Sequence, residues 1–494
     1  MAYTKRLIAL LILAAATLLS GCAGAAEKLQ VVHVLHTSDL HAHLEADEES
    51  AGMLRMGAAI GRIRRDIGSE SVLHIDTGDT VQGTMAGSLT RGLLPLQALI
   101  AMGCDVWVPG NHEFDFGFAR FAELADFMRP LIVCGNLRPL APNAKPYASW
   151  KMFERNGARI AVIGMTASYV KNWFSGDLSR LFQVELAMTA LERLMPKVVA
   201  AKPDAIVLAI HQGWTTPQQD PRGVNEVAAI VAKYPEIDLV LGGHTHRPLP
   251  GMPIGAGSWY IQPGADAQYF GHIRLYCDTK AHKVERIESF LVDTAKEPTP
   301  DAALMEALAA PLADLKARAD EIIVPAMPMD ITAEGLPGRD NAMALAFCKA
   351  ISKAANTELA LHGALSKKAL KKGEPVTAWD VFQIVPYEND IIVASLTQEE
   401  LEEVLAEQWS YRRHYTYCGF YGADVTFDNE GKAHISGLGP GRHTIAMNSF
   451  TAAGGGRYVR LARLLKRPES QMRNTGLSTR DAMRDYLKKL ETGK

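Results

Sequence analysis

Five short apolar runs in the first half of the chain each give way abruptly to polar residues. VVHVLHTS (31–38) leads to Asp39 and His41, SVLHIDTG (71–78) to Asp79, and DVWVPG (105–110) to Asn111 and His112. DAIVLAI (204–210) leads to His211, and IDLVLGG (237–243) to His244 and His246. Runs of this length, rich in Val, Ile and Leu, predict buried strands. Between them the period lengthens, and Gly52–Ile67 and Met188–Ala201 carry the spacing of helices. Strand–helix alternation from 28 to 295 predicts an α/β layered domain. Such domains build their sites in loops at the carboxyl ends of strands, where all five polar clusters fall.

Residues 296–321 change character. Leu304, Leu308, Leu312 and Leu315 recur at helical spacing behind Pro298 and Pro300, and Pro311 is expected to kink or split the helix. This segment is a helical connector. A second α/β domain is expected over 322–494, because 494 residues exceed one ordinary core. Within it Asn341–Asn356 has a helical pattern, and Thr397 with Glu400 forms a capping box ahead of Leu401, Val404 and Leu405. GGGRY at 454–458 is a backbone-permissive turn.

Hydrophobic residues make up 48% and charged residues 22%, an ordinary globular balance. The net charge of −3 offers no polybasic surface for a nucleic-acid duplex. Lys5 and Arg6 precede an apolar stretch at 7–19 that is too short for a membrane span and reads as an export signal. The following Leu19-Ser20-Gly21-Cys22 resembles the lipobox of bacterial lipoproteins, which implies cleavage after residue 21, a lipid on Cys22 and a place in the cell envelope. An ordinary signal peptide cut near Ala23–Ala26 is the alternative. Cys104, Cys134, Cys277, Cys348 and Cys418 show no C-x-x-C spacing and read mostly as small buried hydrophobes.

The polar clusters supply three His past late strands, an Asp-x-His past the first, a lone Asp and an Asn. That is an inventory for two divalent ions, which clamp the attacking and leaving oxygens of a phosphoryl displacement when they share a carboxylate. Mixed nitrogen and oxygen donors suit Zn, Mn, Fe or Ni. His33, His36 and His74 lie within or beside strands and read as structural, and His43 is near the clusters but outside them.

Asp39-x-His41, Gly78-Asp79, Gly110-Asn111-His112-Glu113, His211 and Gly243-His244-Thr245-His246 together resemble the calcineurin-like metallophosphoesterases. HTSDLHAHL, GDTVQGT and GNHEFDFG are similar to the 5′-nucleotidase branch. The resemblance implies a four-layer αββα sandwich for the first domain. It implies one metal on Asp39, His41 and His246, a second on Asn111, His211 and His244, and Asp79 bridging. It also implies a catalytic pair: His112, oriented and kept cationic by Asp115, facing the substrate phosphate, with metal-activated water as nucleophile.

The second domain resembles the nucleotidase substrate-binding domain through GEPVTAWDVFQIVPYEND (373–390) and NSFTAAGGGRY (448–458). Tyr387 and Phe450 fall where the family's base-stacking aromatics belong. The pattern departs at two places. Lys367 replaces the Arg of the family's Asn-Gly-Gly-Gly-Ile-Arg segment, and Gly456-Arg457 replaces Asp-Gly before Tyr458. Lys loses the planar fork of Arg, and Arg457 brings a cation from a new direction. The expected reaction is hydrolysis of a 5′-nucleotide. A cyclic nucleotide, a nucleotide sugar, a non-nucleotide phosphate or a sulfur ester would fit the same metal chemistry. A non-catalytic nucleoside- or metal-binding lipoprotein would not need an intact His112–Asp115 pair.

Overall fold

The structure is a computed structural model and describes residues 29–46, 50–140, 145–172, 181–215, 220, 224–335, 341–387, 389–414 and 417–492. The export signal and Cys22 lie outside the described residues. Among those residues no helix is long and apolar enough to cross a membrane.

All five apolar runs contain strands: Gln30–Thr37, Val72–Asp76, Val106–Trp107, Ala205–Ile210 and Leu239–Leu241. The first three are parallel neighbours in a five-stranded sheet completed by Tyr269–Asp278 and Lys283–Asp293. The last two are parallel neighbours in a six-stranded sheet, alongside Ala158–Met165. Val32, Val34, Leu73 and Ile75 of the first sheet meet Ile160, Val162, Val207 and Leu239 of the second in one buried core.

On the other side of the second sheet, Ile163, Leu208 and Val240 pack with Leu191, Leu194 and Val198 of the helix Ala187–Ala200. Ala205–Ile210 is therefore covered on both faces, which is why it reads as a continuous apolar run instead of an alternating one. Each such aliphatic side chain contributes roughly 1.5–3 kcal/mol by leaving water. The helix Gly52–Ile67 buries Met53, Met56, Ile60 and Ile63 and stops at Gly68, whose φ of 97° favours glycine. This is the four-layer αββα sandwich.

The described residues cluster into two compact units, one built on 29–81 and 95–307, the other on 82–94 and 308–492. The segment 82–94 thus leaves its sequence neighbours. Its helix Met85–Thr90 packs on Ala309–Ala319, and Arg318 Nη1 donates to the Leu89 carbonyl at 3.4 Å. The connector splits into Ala302–Ala307 and Ala309–Ala319. Pro311 sits in the first turn of the latter, where its missing N–H breaks no helical bond.

The second unit centres on a mixed five-stranded sheet in the order Gly419–Tyr421, Leu359–His362, Arg442–Asn448, Asp390–Thr397 and Arg473–Ser478. Helices Ala342–Ala355 and Thr479–Thr492 share one core with it through Phe347, Ile351, Met483 and Leu487. Gln398–Glu407 and Val459–Leu465 share another through Leu401, Leu405, Leu461 and Leu464. Asn341 caps the first of these helices, its side chain accepting from Ala344 N–H, and Asn356 ends it at φ 53°. The capping box of Thr397 and Glu400 is formed.

Candidate metal centre

The loops that leave the strand ends hold a backbone conformation that side chains rarely adopt. Asp39, His41, Asp79, His244 and His246 have φ of 52°, 47°, 54°, 73° and 55°. Left-handed backbone costs an L-residue roughly 1–2 kcal/mol, so five such residues on one rim persist only because their surroundings hold them. Asp39 N–H donates to the Gly78 carbonyl at 2.8 Å and His41 N–H to the Asp79 carbonyl at 2.9 Å. His244 N–H donates to Asp39 Oδ1 at 3.0 Å, and His112 N–H to Asp79 Oδ1 at 2.8 Å.

The glycine before each of three ligand positions is required sterically. A Cβ on Gly78 would stand 2.2 Å from Gly110 N, one on Gly110 2.3 Å from Asp79 Oδ1, and one on Gly243 2.4 Å from Ser38 Oγ.

Two overlapping donor groups result. Asp39, His41, Asp79 and His246 form one, and Asp79, His211 and His244 the other, each with its ligand atoms within 4.8 Å of one another. Asp79 belongs to both. Asn111 joins the second, its Oδ1 lying 3.1 Å from His211 Nε2 and 2.9 Å from His244 Nδ1. The expected ligand residues are therefore gathered in one place.

The donor chemistry fits cations. His41 Nε2 and His246 Nε2 stand 3.0 Å apart, with Asp39 Oδ1 3.4 Å from the latter. Two imidazole lone pairs turned on each other repel unless a proton or a metal lies between them. His211 Nδ1 lies 2.7 Å from the Thr77 carbonyl, to which it donates, so Nε2 is turned toward Asp79 Oδ2 at 3.0 Å. A ligating histidine is usually backed by a carbonyl in this way.

The electrostatics divide the histidines. Burial works against charge on His112, but Asp115 and Asp79 raise its pKa to about 10. The Asp115 contact is His112 Nδ1 to Oδ2 at 2.7 Å. Burial likewise opposes charge on His211, and Asp79 raises it to about 9. Burial and then the His211 charge push His244 down to about 4. Burial would raise Asp79, yet His211 and His112 hold it well below the usual carboxylate range. The His112 ring meets the His41 ring edge-on at 5.3 Å, so the His112–Asp115 pair borders the first donor group.

The structure adds residues to which the motifs give no role. Glu113 is fully buried and accepts backbone N–H groups from both the Asp79 and the Gly110 loops. Asp76 accepts from Thr37 Oγ1, Thr80 Oγ1 and Gly78 N–H at 2.7, 2.8 and 3.0 Å. Tyr260 accepts from Trp214 N–H at 3.0 Å and donates to Gln262 Oε1 at 2.9 Å, and Thr245 Oγ1 donates to the same oxygen. Glu113 falls within a motif and Asp76 beside one, while Tyr260 and Gln262 carry no sequence signal.

The other histidines stand apart from both donor groups. His36 and His74 are buried, and burial lowers each to about 3. His33 Nδ1 lies 2.8 Å from His272 Nε2, and His43 Nε2 lies 3.3 Å from Asp266 Oδ1. Cys104, Cys134, Cys277, Cys348 and Cys418 are buried free thiols.

In the second unit Tyr387 is 57% and Phe450 60% exposed, so neither is a core aromatic. Asn389 ties their two segments together, accepting from Ser449 Oγ at 3.1 Å and Phe450 N–H at 3.3 Å. The Phe450 ring lies over Gly455, where a Cβ would come within 2.5 Å of it. Lys367 is exposed, while its neighbour Lys368 pairs with Asp380 at 2.8 Å. Arg457 is exposed and has a φ of 71°.

Residues 32–248 match the model of the calcineurin-like phosphoesterases, and 320–463 that of the 5′-nucleotidase C-terminal domain. Protein UshA of Yersinia enterocolitica is 20% identical over 94% of this chain and 92% of its own length. The 5′-nucleotidase of Rattus norvegicus is 25% identical over 51% of this chain, but that match spans only 47% of the rat protein. A putative 5′-nucleotidase from Staphylococcus aureus, solved with α-ketoglutarate, shares the fold at a TM-score of 0.70 and 20% identity, over 92% of this chain and 96% of its own.

Proposed function

The chain belongs to the calcineurin-like metallophosphoesterases that carry a 5′-nucleotidase C-terminal domain, and from that premise we propose that it is an exported hydrolase of 5′-nucleotides. It is a metal-dependent phosphoester hydrolase. The observation that supports hydrolysis is the sharing of Asp79 between two donor groups, with the His112–Asp115 pair on their border, and the 5′-nucleotidase C-terminal domain supports a nucleotide as substrate. Asp39, His41, Asp79 and His246 would hold one divalent ion, and Asp79, Asn111, His211 and His244 the other. When bound, the pair would supply Lewis acidity toward the phosphoryl oxygens and would lower the pKa of water.

The side chains do the rest. Asp115 accepts a hydrogen bond from His112 Nδ1–H, which fixes the ring and leaves its Nε2–H to meet negative charge growing on the phosphoryl group. Asp79 keeps Oδ1 aimed through the bond from His112 N–H in the neighbouring loop, so little reorganisation of that carboxylate accompanies reaction. The exposed rings of Tyr387 and Phe450 offer flat surfaces for a base, and Arg457 and Lys367 offer positive charge. The N-terminal signal and the Leu-Ser-Gly-Cys22 sequence support export and lipid anchoring.

The test uses the chain beginning after Cys22, stripped of metal and reloaded with Mn or Zn. Substrates are AMP, UDP-glucose, a 2′,3′-cyclic nucleotide and an aryl phosphate, with Asp79→Asn as control. Metal-dependent phosphate release from AMP, lost in the control, is the expected result. Turnover of the aryl ester alone would sink the nucleotidase reading while keeping the metal chemistry. No turnover of any substrate, with metal bound, would overturn hydrolysis itself.

A further inference from the structure

Glu113 has no exposed surface, and both of its carboxylate oxygens accept backbone N–H groups. Its Oε2 accepts Asp79 N–H at 2.9 Å and Gly110 N–H at 2.5 Å, and its Oε1 accepts Thr80 N–H at 2.8 Å. These donors come from two loops at the ends of two different strands. One carries the shared ligand Asp79, and the other runs straight into Asn111. A further bond runs the opposite way, from His112 N–H to Asp79 Oδ1 at 2.8 Å. The two loops are thus bonded reciprocally: Asp79 donates to Glu113 and accepts from the adjacent His112.

A buried carboxylate is a costly way to satisfy three N–H groups, since water or a short polar side chain would do so with less desolvation. What it provides is geometry. The bonds from Asp79 N–H and Thr80 N–H cross to Glu113 and fix the spacing between the loops, and the Gly110 bond holds the Glu113 carboxylate against its own loop. Asp79 is held at φ 54°, and Gly110 has no room for a Cβ, so neither loop can shift alone without strain or clash.

We infer that Glu113 is a positioning residue that sets the separation between the shared carboxylate of Asp79 and the amide of Asn111, and through it the pairing of the two metals. This rests on the two-metal reading above. Glu113 belongs to neither donor group. It acts through the backbone of the residues that do.

Glu113→Gln tests this with almost no change of volume. Whichever way the amide turns, its NH2 faces a backbone N–H, so two donors meet. Glu113→Asp keeps the charge but is shorter by a methylene and cannot span both loops. The metal-free proteins are titrated with Mn alone, followed by low-temperature electron paramagnetic resonance and by equilibrium binding. The wild type is expected to give a spin-coupled pair. Both variants are expected to bind the second ion at least tenfold more weakly and to show isolated-ion spectra.

Wild-type coupling and second-ion affinity in either folded variant would overturn the assignment, even if its thermal stability fell, because that pattern is a merely structural role. If Glu113→Gln does not fold, Glu113→Asp decides by the same two measurements. A wild type that itself never shows a coupled pair would overturn the two-metal reading, and Glu113's role with it.

Discussion

Asp79 is 1% exposed and bonded to the His112 backbone and the His211 ring, whereas Phe450 is 60% exposed and its backbone is steadied by Asn389. The rim of the first unit is a closed set: each ligand is oriented by another ligand or by its loop. Tyr387 and Phe450 of the second unit form an open set, each more than half exposed. Chemistry that must stabilise charge at fixed points needs the first arrangement. Recognition of a flat, variable group tolerates the second. The difference teaches where substitution should be catastrophic and where it should only tune.

The largest effect is expected at the shared ligand. Asp79→Asn should lower kcat by about 10^3-fold or more, since it removes the charge common to both donor groups. Phosphate release at saturating metal checks this, and activity within tenfold of wild type would break the closed-set picture. Next comes the cationic pair: His112→Asn should cost about 10^2–10^3 in kcat with little change in KM. Loss confined to KM would move His112 from the reacting group to binding.

In the open set, Phe450→Ala should raise KM for AMP about three- to tenfold and leave kcat and stability nearly unchanged. A thermal shift of several degrees would instead show a packing role.

The second unit also has a buried group that sharpens the contrast. His362 stacks on Phe347 at 4.4 Å, donates through Nδ1 to the Gly363 carbonyl and meets Asn448 Nδ2 through Nε2. Burial lowers its pKa from 6.5 to about 4. The folded state therefore binds fewer protons than the unfolded state between these values. The stability this neutral ring contributes is complete above about pH 6.5 and is lost as pH falls toward 4. Urea unfolding at pH 7 and pH 5 should show about 2 kcal/mol more loss in the wild type than in His362→Gln. Equal losses would refute the linkage.

The smallest effect is expected at Arg457. Its left-handed backbone is one that glycine adopts freely, so Arg457→Gly should stabilise the protein by about 0.5 kcal/mol. If KM for AMP rises at the same time, strain is being kept for binding.

Much of the fold and most of the metal set are legible in the order of residues. Hydrophobic runs mark the strands, and Gly52–Ile67 starts and stops where its apolar spacing does. Ligand types recur at strand ends, which marks candidate donors, and the resemblance to the metallophosphoesterases gives each its expected place. Glu113 reads only as part of a motif, because nothing in the order of residues shows that its carboxylate turns inward onto the backbone of a loop more than thirty residues earlier. Segment 82–94 reads as part of the first domain, because chain order cannot show that its helix packs on 309–319.

The sequence by itself determined the strands, the ligand chemistry and the family, because apolar period and side-chain donor type are local properties of the chain. What comes from the fold alone is that five rim residues are held left-handed, that Tyr387 and Phe450 are largely exposed, and that Glu113 accepts backbone N–H groups from a second loop. These depend on which distant loops meet and at what distance, and hydrogen bonding and desolvation act on distance in space, not on distance along the chain.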